Sequence, residues 1–218
     1  MPEILKQPST GSSADTPRQE QRVFSFQDAC RFEWKLSQLS RGRLAQLRRN
    51  AGQPLPGRGV AWFYGLLDLS DDRQYRAQPD EVCFVVATLY DLNRFQTSEK
   101  NRRFCYLGKS LSLVRRKIIA ASSSREPEEA AKSLDRRFQI LLDAEFDDGA
   151  TSELAFRLRQ TVQFLKGQGV GFDPAHLICD LLDWSHPSRK AQKRWARHYF
   201  NAPAELSEFA PETTQDLN

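Results

Sequence analysis

The feature that most constrains this chain is a succession of helix-start signals, from Ser25 onward, with no intervening stretch that alternates apolar and polar residues long enough to make a strand. Proline is tolerated in the first turn of a helix because its missing N–H has no partner there anyway, and Pro79, Pro127, Pro174 and Pro187 each precede an apolar-periodic segment. Ser25 followed by Asp28 has the form of a helix N-terminus, with Phe26, Ala29, Cys30 and Phe32 to Leu36 supplying the buried stripe. Helices are expected over Arg41 to Asn50, with Gly52 as a stop, and in shorter form over Val60 to Leu69, beyond a loop containing Pro54, Pro56, Gly57 and Gly59. Another is expected from Pro79 to about Gln96, where Asp80 and Glu81 favour the positive end of the dipole. Its run Cys83 to Ala87 reads as a buried strand or as one side of a central helix, and the length favours helix. The remaining helices are expected at Lys109 to Ala121, Pro127 to Asp143, Thr151 to Lys166, Pro174 to Asp183 and Pro187 to Phe200.

The fold class is therefore all-α, as two small helical bundles joined by a short polar segment. The expected division is a flexible leader over 1–24, an N-terminal helical domain over 25–100, a C-terminal helical domain over 106–200 and a flexible acidic tail over 201–218. The 218 residues suffice to bury a core either way. No apolar run approaches the roughly 18 residues of a membrane span, and residues 1–21 lack the apolar core of a secretory signal, so a cytoplasmic address is expected. Cys30, Cys83, Cys105 and Cys179 are widely spaced, and this reads as buried thiols rather than disulfides.

Chemistry is harder to find. His176, His186 and His198 have no set of zinc ligands around them, the one near pairing being His176 with Cys179, and CxxC, HExxH, GxSxG and phosphate-loop motifs are all missing. No catalytic residue, metal or cofactor is assigned.

Charge carries more information through its distribution than through its net value of +4. Three clusters contain no acid: Arg41, Arg43, Arg48 and Arg49; Arg102, Arg103, Lys109, Arg115, Arg116 and Lys117; and Arg189, Lys190, Lys193, Arg194 and Arg197. On a helical wheel the five cations of the last cluster fall within an arc of about 140 degrees, with Ala191, Trp195 and Tyr199 on another. Such a face is either a polyanion-binding surface, whose repulsion a phosphate backbone relieves, or a solvated face complementing the dipole. Trp195 and Tyr199 are either core or base-stacking residues, and helical spacing opposite the charges favours core. Arg136 and Arg137 follow Asp135, which suits an ion pair within the bundle as well as phosphate contact. Separate basic patches on a helical scaffold fit tracking of a nucleic-acid backbone better than base reading.

The segments RGRLAQLRRN (Arg41 to Asn50), YLGKSLSLV (Tyr106 to Val114), SLDRRFQILLD (Ser133 to Asp143) and LLDWSHPSRKAQKRWARHYF (Leu181 to Phe200) together resemble the CasB family, the small subunit of the type I-E CRISPR surveillance complex Cascade. The likeness runs from about Phe26 to Phe200. Departures are the long leader, the acidic tail and Gln160, where the family often has a second basic residue after Arg159. The resemblance implies two helical domains and no enzymatic activity. It further implies a subunit present in two copies, bridging the backbone and large subunits and helping to hold guide RNA and the opened target DNA. Carried over by motif, Arg48, Arg49, Lys109, Arg136, Arg137, Arg189 and Lys190 are the expected phosphate contacts, and Arg194 and Arg197 join them from the wheel. Arg41, Arg103, Arg116, Arg159 and Lys193 complete the candidate set. A free-standing nucleic-acid-binding regulator and a protein-only scaffold are the competing classes, with a hydrolase of scattered residues a more distant third.

Overall fold

The computed structural model describes residues 24–55, 58–67, 79–92, 106–123 and 125–201. All the regular structure there is helical: α1 (Phe26–Ser37), α2 (Arg41–Arg49), α3 (Pro79–Tyr90), α4 (Leu107–Ala121), α5 (Lys132–Asp143), α6 (Glu153–Gly167), α7 (Pro174–Leu182) and α8 (Lys190–Phe200). Three short 3-10 turns accompany them, at Ala61–Leu66, Pro127–Ala131 and Gly149–Thr151. Apart from Phe24 and Asn201, the expected leader and tail lie outside the described residues, as does most of the polar joining segment.

Local chemistry explains four of the eight helix starts among the described residues. Ser25 Oγ accepts from the Asp28 amide at 3.2 Å while Asp28 Oδ2 accepts from the Ser25 amide at 3.0 Å, a reciprocal box that satisfies two amides otherwise without partners. Asp173 caps α7 by accepting from the amides of Ala175 and His176 at 2.8 and 3.2 Å, with Pro174 in the first turn. Ser40 and Ser152 cap α2 and α6 in the same way.

Four expectations need correction. Of the segment expected over Val60 to Leu69, the described residues form a 3-10 turn over Ala61–Leu66, and Pro127 opens a 3-10 turn that passes into α5 at Lys132. The α3 helix stops at Tyr90, with a turn at residues 91–92 where helix was expected on to Gln96. And α8 begins at Lys190, three residues after Pro187. That proline sits in a turn held by His186, whose Nδ1 accepts from the Ser188 amide at 3.1 Å, and Arg189 takes left-handed backbone at φ 50°.

The run Cys83 to Ala87 is helical, and α3 is the central element: every residue from Val82 to Leu89 is buried. Buried residues from both sides of the expected joining segment belong to one hydrophobic cluster, because α1 and α3 pack on α7. The most extensive pairing is α4 with α8. It depends on Gly108, where a Cβ would stand 2.6 Å from the Trp195 carbonyl oxygen, inside contact distance, so only glycine lets the two backbones approach this closely. Cys30, Cys83 and Cys179 form no disulfide with one another, and burial pushes Cys179 up to about 12.

Candidate nucleic-acid interface

The inner side of α8 is organised by two carboxylates. Trp195 is fully buried, and its indole Nε1 donates to Asp180 Oδ2 at 2.6 Å. The other oxygen of Asp180 accepts from Arg194, through Nε at 3.0 Å and also through a terminal nitrogen. Burial pushes the Asp180 carboxyl above its ordinary value, against the lowering by Trp195 and Arg194. One helical turn on, Tyr199 stacks on Phe138 and its hydroxyl donates to Asp135 Oδ1 at 2.6 Å. Asp135 also accepts from Arg115 Nε at 2.8 Å. Burial raises this carboxyl, but the hydrogen bonds from Arg115 and Tyr199 outweigh that and hold it below the usual range.

These contacts decide three questions that the residue pattern leaves open. Trp195 and Tyr199 are core residues. Asp135 is taken by Arg115 and Tyr199, so Arg136 and Arg137 are exposed and make no ion pair among the described residues. The five cations expected to share an outward arc do not do so. Arg194 turns inward to Asp180, and Arg189 lies ahead of the helix, donating to the Leu142 carbonyl at 2.7 Å and to Asp143 Oδ1 at 3.0 Å. The physical reason is that Asp180 and Asp143, distant in sequence, come alongside in the fold. Lys190, Lys193 and Arg197 remain exposed, within an arc of about 60 degrees.

Contacts at both ends, Asp135 with Tyr199 and Asp143 with Arg189, run α5 and α8 antiparallel as neighbours. The exposed cations of the two helices, Arg136, Arg137, Lys190, Lys193 and Arg197, therefore belong to one side-by-side helix pair. A second group lies on α2, which packs on α3. There Arg41 and Arg49 are exposed, Arg48 pairs with Asp91, and Arg43 lies over the Trp62 ring at 4.9 Å. Lys109 is half-buried over the Tyr106 ring at 5.5 Å, and Arg116 is half-buried. Arg159 is half-buried with its guanidinium against Gly52, where its carbon would lie 3.3 Å from an added Cβ, which reads as packing. Arg103 lies outside the described residues. Arg43 and Lys117 are also exposed; both belong to the acid-free clusters, which are the signal that could have placed them in the candidate set.

The histidines serve structure. His176 Nδ1 is 3.0 Å from Asp173, its ring 4.3 Å from Tyr106, and His198 packs on the other flank of Tyr106 at 4.7 Å. Burial, and after it the positive charges of Lys109 and Arg194, lower His198 to about 4. Among the described residues no group of three metal-ligating side chains is gathered, and no helix is long and apolar enough to cross a membrane.

Residues 43–200 match the family model of CRISPR-associated protein Cse2. The chain belongs to the Cse2 family. A curated Cse2 protein from Thermus thermophilus is 42% identical over 83 residues, which are 38% of this chain and 44% of that protein, so the chain matches less than half the length of this relative. Solved CasB structures are matched over nearly their whole length. CasB of M. ruber superimposes with a TM-score of 0.64 at 25% identity, over 85% of this chain and 98% of that one. For CasB of T. thermophilus the TM-score is 0.58 at 30% identity, over 80% and 98%. The resemblance to the CasB family and the all-helical class are thus both borne out, and the Cse2 match takes in α5, α8 and α2 from Arg43 onward.

Proposed function

We propose that this Cse2-family chain is a non-catalytic small subunit of the type I-E CRISPR surveillance complex Cascade. In this reading it contacts the phosphate backbones of guide RNA and opened target DNA, stabilising the R-loop and the assembly with the backbone and large subunits and a second copy of itself. The observation that carries this is the pair α5 and α8, whose folding-critical ions point inward while Arg136, Arg137, Lys190, Lys193 and Arg197 stay exposed and unpaired among the described residues. Exchanging a DNA duplex for an RNA–DNA hybrid is close to energy-balanced, so a few backbone contacts suffice to tip it. Cations aligned with a backbone release its counterions whatever the sequence, which suits a complex in which base pairing supplies specificity.

The test is Lys190→Glu, Lys193→Glu and Arg197→Glu combined, in a reconstituted complex. Target-DNA capture should weaken while co-purification with the other subunits persists. Loss of the protein partners with DNA affinity retained would make this face a protein-docking surface instead.

A further inference from the structure

A cleft of about 310 Å³ opens between α5 and α6. Its lining includes the buried Leu134 and Phe138, the half-buried Phe164 and Arg157, and the exposed Arg137 and Gln160. This is a slot of mixed polar and apolar lining that includes two arginines, at the small end of the ~300–1,000 Å³ range of ligand clefts. Arg157 is engaged by Glu153 at 3.0 Å, a surface i,i+4 pair, while Arg137 makes no ion pair among the described residues.

The chain leaves α8 beside this cleft. Phe200, exposed, sets its ring 6.2 Å from that of Phe138, edge to face, and Phe138 is one of the buried lining residues. The segment after α8 is complementary to the slot: residues 202–218 contain Glu205, Glu208, Glu212 and Asp216 and no lysine or arginine, with Leu206 and Phe209 between the acids. At about 3.3 Å per extended residue, the eight residue-to-residue steps from Asn201 to Phe209 span up to about 26 Å, enough to cross a cleft that begins next to Phe200.

We propose that the acidic segment 202–212 of this same chain docks in the α5–α6 cleft, with Leu206 and Phe209 meeting its apolar lining and Glu205 and Glu208 meeting Arg137. Apolar burial supplies the attraction and the carboxylates set the register against the cations. Seated there, the segment covers Arg137, so a nucleic-acid strand using that cation has to displace it. That consequence rests on the nucleic-acid reading of the α5–α8 face, whereas the docking itself does not.

The experiment uses the full chain, without nucleic acid, with Phe209 replaced by the photo-reactive p-benzoyl-phenylalanine. After irradiation, cross-links mapped by peptide mass spectrometry should fall on the α5 and α6 residues around Phe138, Ile140, Gln160 and Phe164, within one molecule, with a yield independent of protein concentration. Adding Arg137→Glu and Gln160→Glu should cut that yield severalfold at an unchanged melting temperature. Cross-links confined to other elements, cross-links formed only between molecules, or a yield indifferent to the two glutamates would each overturn the proposal. Because no nucleic acid is present, none of these results bears on the role in Cascade.

Discussion

The buried Asp180 carboxylate accepts from the Trp195 indole at 2.6 Å, and the neighbouring residue, Arg194, bonds its other oxygen. Two successive residues of α8 thus share one acceptor on α7, which fixes both the rotation of α8 and its position along α7. Losing that acceptor strands a buried N–H and a half-buried guanidinium.

Asp180→Ala is accordingly expected to destabilise the fold by about 3–5 kcal/mol, the range for breaking a buried ion pair from one side. Urea denaturation reads it directly. A loss below about 1 kcal/mol, the worth of a surface pair, would mean the interaction is solvent-screened after all.

Gly108→Ala places a methyl group 2.6 Å from the Trp195 carbonyl oxygen, at backbone that cannot swing aside as a side chain would. The expected cost is about 1–3 kcal/mol from overpacking, seen as a lower urea midpoint at an unchanged m-value. A neutral result would show that α4 and α8 slide apart freely.

Two triple charge reversals separate inward from outward cations. Lys190→Glu, Lys193→Glu and Arg197→Glu should leave stability within about 0.5 kcal/mol per site, as for surface positions away from special contacts. The same variant should bind single-stranded DNA more weakly, with a shallower dependence on salt, by about 0.7 in log–log slope for each phosphate no longer neutralised. Arg189→Glu, Lys190→Glu and Arg194→Glu instead sets new carboxylates beside Asp143 and Asp180 and should lower the melting temperature markedly. Equal melting temperatures for the two variants would contradict the assignment of Arg189 and Arg194 as structural ties.

His198 supplies a pH dependence whose sign is set by its lowering to about 4. Between that value and the ordinary histidine value of about 6.5, the unfolded chain binds a proton that the folded chain does not, so the fold loses stability as pH falls through this window. The raised Asp180 carboxyl contributes with the opposite sign, since its folded state takes up a proton first on acidification. Comparing His198→Gln with the parent chain isolates the histidine contribution: stability against pH should be flatter for the variant between about pH 4 and 6.5. Parallel curves would rule that contribution out.

The features legible in the sequence and those hidden in it divide along the range of the interactions. The Ser25–Asp28 box, Pro174 after Asp173, and the acids behind Pro79 act within a single turn, and each is legible as a helix start. Pro187 has the same look, but its turn is held by His186 and its exit by Arg189 reaching back to Asp143, so the helix opens three residues late. The stripe of Ala191, Trp195 and Tyr199 is readable from periodicity. The destination of Arg194 is not, because a wheel shows which residues share an angle and says nothing of which carboxylate waits there. Arg136 and Arg137 become interpretable only once Asp135 is seen to be engaged by Arg115, twenty positions earlier in the chain.

The Asp180 arrangement divides the protein's ions into two populations that respond differently to their medium. A pair set against a buried carboxylate is shielded from mobile counterions, whereas cations on open helix faces feel the bulk solution at a screening length of about 8–10 Å. Raising the ionic strength therefore acts selectively: it silences the outer population and leaves the ties that orient α8 in place. A concentrated salt wash should strip polyanions from the protein while it stays folded, and returning to dilute buffer should restore the charged face without a refolding step.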